Sequence, residues 1–162
     1  MIMKILVVSD THGRDENLDR AIRAEKPFDM LIHCGDVEGR EDYIRAVADA
    51  PVYMVRGNND FFSDLPSEEN FSICGKKAFL THGHYYGVSW DTSQLREEAR
   101  DRGAELAFFG HSHRPVIEGE DVIAINPGSL SYPRQDGRKP SYVVMNLEQD
   151  GCVEAEIKFL ER

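Results

Sequence analysis

The amino-acid sequence predicts an α/β fold: two sheets packed face to face, with helices on their outer surfaces. Three observations predict it. Between residues 4 and 55, short continuously apolar runs alternate with segments of helical period, the pattern of parallel strands crossed by helices. From residue 71 onward the apolar runs come mostly in hairpin-like pairs. No repeat, linker or low-complexity stretch divides the two halves, so residues 1–162 are expected to form one domain.

Taken in order, Lys4–Ser9 carries Ile5, Leu6, Val7 and Val8 without interruption, which suits a strand covered on both faces. Leu18, Ala21 and Ile22 put a helical stripe on residues 15–25, and Ile44, Val47 and Ala48 do the same for 40–50. Met30–Cys34 and Val52–Val55 are the second and third strands. Phe71–Cys74 and Lys77–Thr81 flank Gly75-Lys76, the expected two-residue hairpin turn. Residues 92–102 read as a helix opened by a capping box of Asp91 and Gln94. Leu106–Phe109 is a short buried strand. Val116–Glu118 and Val122–Ile125 flank a Gly-Glu-Asp turn, and Tyr142–Leu147 and Val153–Phe159 flank Gln149-Asp150-Gly151.

Composition excludes several classes. Hydrophobic residues at 41% support a sizeable core, and charged residues at 30% are ordinary for a soluble domain. No apolar run approaches the roughly 18 residues of a membrane span. The apolar start, Met1–Ser9, lacks the basic region and long apolar stretch of a signal peptide. Three widely spaced cysteines, Cys34, Cys74 and Cys152, form no CxxC pair, so a cytoplasmic location with reduced thiols is expected. With 29 acidic against 19 basic residues the net charge is −10, which repels duplex nucleic acid. The densest basic cluster, Arg134, Arg138 and Lys139, is thin. Neither nucleic acid nor membrane is expected as a partner.

Chemistry concentrates in five turns that each follow an apolar run: Asp10-Thr11-His12-Gly13, Gly35-Asp36, Gly57-Asn58-Asn59-Asp60, His82-Gly83-His84 and Gly110-His111-Ser112-His113. Ligands of open α/β sheets bind beyond the carboxyl ends of the strands, where these residues would converge. In an extended segment, residues i and i+2 share a side, so Asp10 with His12, and His111 with His113, are expected to reach one site. Neighbouring glycines permit close backbone approach. Mixed carboxylate, imidazole and amide donors suit manganese, iron, nickel or zinc better than calcium.

In this order the blocks resemble those of the calcineurin-like metallophosphoesterase superfamily: D-x-H, GD, GN-[HNC]-[DE], H and GHxH. The chain length, Thr81-His82-Gly83-His84 and Asn126-Pro127-Gly128-Ser129 are most similar to its small YfcE-type phosphodiesterases, from Lys4 to the last strands. The resemblance implies a four-layer α/β/β/α sandwich of two mixed sheets. It implies two divalent transition-metal ions, manganese or nickel favoured and iron or zinc compatible. Asp10, His12 and His113 would hold one ion, Asn58, His82 and His111 the other, and Asp36 both. A hydroxide bridging the ions would attack a small phosphate ester. The resemblance also implies a homodimer or higher homo-oligomer.

Many superfamily members carry a histidine after the ligand asparagine, as the acid for the leaving group. Asn59 stands there, as in YfcE-type members, and an amide has no proton to give near neutral pH. Asn59, Asp60 and His84 are therefore the further candidates: Asn59 as a hydrogen-bond donor, Asp60 orienting a ligand or capping the adjoining turn, His84 as a substrate contact or a polar turn residue. His33 is expected to be a hydrogen-bonded core histidine, and Arg134 a solvated surface residue. Trp90 and Tyr85-Tyr86 are expected either to wall a pocket or to pack in the core or a subunit interface. Two other functions fit the same resemblance: a phosphomonoesterase on nucleotides or phosphoproteins, and a binding scaffold, since a eukaryotic retromer subunit shares the fold but has lost part of the histidine set. All seven ligand positions are filled here, which favours the enzyme.

Overall fold

A computed structural model describes residues 2–161. The first sheet is built on β1 (Ile2–Val8), which pairs in parallel with β2 (Met30–His33), itself parallel to β3 (Val52–Met54). Helices α1 (Glu16–Glu25) and α2 (Glu41–Ala48) make the crossovers. The second sheet runs β4 (Glu68–Ile73), β5 (Lys76–Thr81), β6 (Leu106–Phe108), β8 (Ile123–Asn126) and β7 (Val116–Glu118), with α3 (Ser93–Asp101) between β5 and β6. Its three inner strands are parallel, and β4 and β7 are antiparallel edges.

The C-terminal hairpin, β9 (Ser141–Glu148) and β10 (Val153–Phe159), returns to the first sheet. β9 lies antiparallel to β1, with Val7 opposite Val143 and Ile5 opposite Met145. Both sheets are therefore mixed.

Burial follows the period of two along each strand. Ile5 and Val7 point inward to meet Leu80, Phe108 and Ile125 of the other sheet, while Leu6 and Val8 point outward onto Leu18, Ile22 and Ile44 of α1 and α2. Phe79, Ala107 and Ala124 face Leu95 and Ala99 of α3. The layers are α/β/β/α. β1 reads as continuously apolar because it is covered on both faces.

Two local expectations are corrected. The turn between β4 and β5 is Cys74-Gly75, not Gly75-Lys76. Cys74 and Gly75 have φ of 49° and 80°, and Ile73 pairs with Lys76; a tight hairpin of this kind needs positive φ at both central residues. The start of α3 has no capping box. Asp91 Oδ1 accepts from the Ser93 N–H (3.0 Å) and hydroxyl (2.7 Å), while the Thr92 hydroxyl donates to Glu118. Asp91 thus makes an Asx turn, and Gln94 takes no part. Among the described residues, no helix is long and apolar enough to cross a membrane.

Candidate metal centre

The loops that leave β1, β2, β3, β5 and β6 meet at one end of the two sheets. Asp10, His12, Asp36 and His113 each offer a ligand atom, and these atoms all lie within 4.8 Å of one another. Asp10 Oδ1 is 3.2 Å from His113 Nε2, 3.7 Å from His12 Nε2 and 3.8 Å from His82 Nε2. Asp36 Oδ2 is 3.4 Å from His82 Nε2 and 3.7 Å from His12 Nε2. His111 Nδ1 is 3.2 Å from Asn58 Oδ1, and its ring centroid is 5.2 Å from that of His82. All seven residues singled out from the sequence as metal ligands are thus brought to one place.

Backbone and carboxylate acceptors set which ring nitrogen faces inward. His82 Nδ1–H donates to the Cys34 carbonyl oxygen (2.7 Å), His113 Nδ1–H to the Tyr132 carbonyl oxygen (2.7 Å) and His12 Nδ1–H to Glu38 Oε1 (3.0 Å). Each Nε2 is left directed at the carboxylates, the orientation that outer hydrogen bonds impose on metal-binding histidines. Asp10 Oδ2 accepts from the Ser9 hydroxyl (2.6 Å) and the His111 N–H (3.1 Å). Asp10 Oδ1 and His82 Nε2 are buried and have no hydrogen-bond partner.

The charges are strongly coupled. Burial works against ionisation of Asp10, but His82, His113 and His12 outweigh it and hold the carboxyl well below its usual range. Burial likewise opposes charge on His82, yet Asp10 and Asp36 push its pKa up to about 9. Two buried carboxylates demand positive charge, and a divalent cation at these atoms would meet that demand. The donor set fits such an ion: two carboxylates, four imidazoles and one amide.

The backbone reaches this arrangement by a route the sequence did not disclose. Asp10, His12, Asp36, His111 and His113 have φ of 53°, 51°, 59°, 73° and 60°. The i, i+2 pairs therefore converge through left-handed turns, not along extended segments, and such strain gathers at functional sites. Two glycines make room: a Cβ on Gly57 would lie 2.2 Å from Asp36 Oδ1, and one on Gly110 would lie 2.2 Å from Ser9 Oγ and 2.7 Å from Asp10 Oδ2.

Asn59 is exposed; its backbone N–H donates to Asp36 Oδ1 (2.9 Å) and its side-chain amide to Asp36 Oδ2 (3.0 Å). Asp60 is buried and accepts from the N–H groups of Val37 (3.1 Å), Glu38 (2.6 Å) and Gly57 (2.7 Å). It ties the Asp36 loop to its own turn and does not cap the next one. His84 sits in a turn, 5.6 Å from the His82 ring and 6.0 Å from the His111 ring. His33 is a buried core histidine whose Nδ1 accepts from the Gly35 N–H (3.1 Å) and whose Nε2 lies 3.0 Å from the Thr11 hydroxyl. Arg134 is exposed, as are Tyr85 and Trp90, while Tyr86 is half-buried and bonded to Glu68.

Sequence reasoning missed Glu38 and the roles of Ser129 and Asn126. The Ser129 hydroxyl donates to the Asp10 carbonyl oxygen (2.8 Å), and the Asn126 amide donates to the Gly110 carbonyl oxygen (3.3 Å). The Asn-Pro-Gly-Ser stretch was visible as a motif, but nothing local says which loops it clasps. Glu38 carries no signal of its own.

Fold and site together define a class. The calcineurin-like phosphoesterase superfamily domain matches residues 3–150. The chain belongs to this family and is a metal-dependent phosphoesterase. It is 37% identical over 155 residues to the probable metallophosphoesterase YsnB of Bacillus subtilis, covering 93% of this chain and 88% of that one. It is 28% identical over 170 residues to phosphodiesterase YfcE of Escherichia coli, covering 90% and 88%. A predicted phosphoesterase structure from Streptococcus pneumoniae superposes with a TM-score of 0.78 at 25% identity, covering 99% of both chains.

Proposed function

We propose that the chain hydrolyses phosphodiesters of small molecules at a centre of two divalent ions. Asp10, His12 and His113 would hold one ion, Asn58, His82 and His111 the other, and Asp36 both. The observation that carries this reading is the pair of buried, unpartnered atoms, Asp10 Oδ1 and His82 Nε2, set among inward-facing imidazoles. When bound, such ions supply an activated water and positive charge against the phosphoryl oxygens. Asp36 suits the shared position because its two oxygens carry charge between two cations. Manganese or nickel fits the mixed donors; iron or zinc would find the same ones.

Hydrolysis breaks one ester P–O bond and forms one to the oxygen of water. One proton goes to the leaving oxygen and one to the medium. Asn59 holds the Asp36 carboxylate from the rim and offers no proton to the leaving oxygen. Asp60 keeps the two loops in register. The three cysteines are free thiols, in keeping with a proposed cytoplasmic setting.

The test is hydrolysis of bis(p-nitrophenyl) phosphate by protein reconstituted with manganese or nickel. Turnover should stop with a chelator and return with the metal. Protein shown by elemental analysis to hold two ions per chain, yet inert towards every phosphate ester, would replace this reading with a scaffold.

A further inference from the structure

A cavity of about 300 Å³ opens beside the centre, lined by Arg56, Asn58, Asp60, Ser67, His84 and Tyr85. Apart from Asn58 and Asp60, the proposed hydrolysis gives its lining residues no role. Arg56 is anchored through its N–H, which donates to the Pro66 carbonyl oxygen (2.9 Å). Its guanidinium has no hydrogen-bond or ion-pair partner among the described residues. Arg40, Arg100 and Arg102 are each held by a carboxylate; Arg56 shares its unpaired state with other surface arginines, and its place in this cavity is what sets it apart. Asp60 shares the cavity, but both its oxygens are engaged by backbone N–H groups. Arg56, its guanidinium unpaired, thus lines a cavity that adjoins a phosphoesterase centre.

Tyr85 forms the aromatic wall. It is 74% exposed, yet its ring centroid lies 4.1 Å from that of His84, which packs in turn near His82 and His111. A ring braced on one side and open on the other is a ready stacking surface.

We propose that Arg56 and Tyr85 form a nucleotide subsite beside the scissile position, with a base against Tyr85 and a second, non-scissile phosphate on Arg56. The assignment rests on the phosphodiesterase reading above and names its substrate class: short nucleotides. The guanidinium fork matches phosphate oxygens in bidentate fashion. A net charge of −10 favours a short substrate over a long polyanion. The smallest such substrate is a 5′-phosphorylated dinucleotide. One water cleaves its internucleotide diester: one P–O ester bond breaks, one forms to the oxygen of water, the leaving alkoxide oxygen takes one proton to become a hydroxyl, and the other proton goes to the medium.

The experiment compares pTpT, unphosphorylated TpT and bis(p-nitrophenyl) phosphate on manganese-loaded protein, with Arg56→Ala, Arg56→Lys and Tyr85→Ala alongside. The wild type should prefer pTpT over TpT by about tenfold in kcat/KM, expressed in KM, the size expected of one charge-assisted hydrogen bond. Arg56→Ala should abolish that preference and Arg56→Lys restore part of it. Tyr85→Ala should raise KM for both dinucleotides and leave the preference. In parallel, pTpT and TpT are titrated into chelator-treated protein while the Arg56 Nε–H resonance is followed; pTpT should shift it and TpT should not. Equal rates on pTpT and TpT, or a preference that survives Arg56→Ala, overturns the subsite. Failure to cleave any diester overturns the reaction, and the resonance titration then decides the subsite alone.

Discussion

His33 offers a test of how the fold protects its metal loops. Burial is the main influence on this ring and outweighs the pull of Asp10 and Asp60, taking its pKa from 6.5 down to about 4. In the unfolded chain the imidazole binds a proton below about pH 6.5. Between those values the unfolded state therefore carries a proton that the folded state does not, so stability rises with pH across the window. Acidification from about pH 6.5 to about pH 4 should cost up to about 3 kcal/mol through this one residue, at about 1.4 kcal/mol per pH unit.

The perturbation is His33→Asn, which can keep an acceptor for the Gly35 N–H. Urea unfolding of chelated protein, from about pH 7.5 down to about pH 4.5, supplies the stabilities. The variant should be less stable at the upper end by about 1–3 kcal/mol, since the Thr11 contact is lost and a cavity opens. Its deficit should then shrink steadily below about pH 6.5, because only the wild type has the buried imidazole to protect. The metal-site histidines titrate in both proteins and largely cancel in the difference. Parallel stability curves would refute the reasoning: His33 would not then be held neutral. The position matters for function because His33 contacts Thr11, between Asp10 and His12, and Gly35, before Asp36.

Asp36→Ala should lose more activity than any other change among the seven ligands, by more than about 10²-fold, and elemental analysis should find fewer than two ions per chain. The rate should depend steeply on leaving-group pKa, aryl diesters exceeding alkyl, because Asn59 supplies no proton and general acid catalysis contributes roughly 10²–10⁴-fold; Asn59→His should flatten the dependence, and a flat dependence in the wild type would mean another acid. Glu25, buried beneath Tyr142, Lys158 and Lys4, resists its own burial through those three partners, and its pKa falls below the ordinary 4.5. Its contribution is present above about pH 4.5 and lost as pH falls through the lower folded value. Glu25→Gln should cost about 2 kcal/mol near neutrality, between an exposed and a fully buried pair, and urea unfolding should show that cost fading in acid.

Much of this was legible in the chain because it is written locally. The run Ile5-Leu6-Val7-Val8 announces a strand covered on both faces, and β1 is one. The five ligand turns announce themselves by residue type, and all their candidate ligands meet. What was not legible depends on partners far apart in sequence. β9 completes the first sheet by pairing with β1 across more than a hundred residues, and nothing in Tyr142–Leu147 says which sheet it will join. The pairs Asp10/His12 and His111/His113 were expected along extended backbone, yet they converge through positive φ, which the packing imposes and non-glycine residues do not advertise. Glu38 gains its contact with His12 only after the Asp36 loop has turned through its own positive φ of 53°.

The division of donors between the sheets explains why so many polar bonds surround the centre. Asp10, His12, Asp36 and Asn58 follow strands of the first sheet; His82, His111 and His113 follow strands of the second. Each proposed ion would draw ligands from both. A hydrophobic core alone cannot hold that geometry, because its attraction is non-directional and tolerates sliding of one sheet over the other. Directional bonds across the boundary fix the register: the His111 N–H to Asp10 Oδ2, His82 Nδ1–H to the Cys34 carbonyl oxygen, and the Ser129 hydroxyl to the Asp10 carbonyl oxygen. Two of the three end on Asp10 itself, and the other joins a candidate ligand to the backbone two residues before Asp36. The bonds that align the sheets are thus the bonds that aim the ligands, so a change that lets the sheets slip should disperse the donor atoms before the core comes apart.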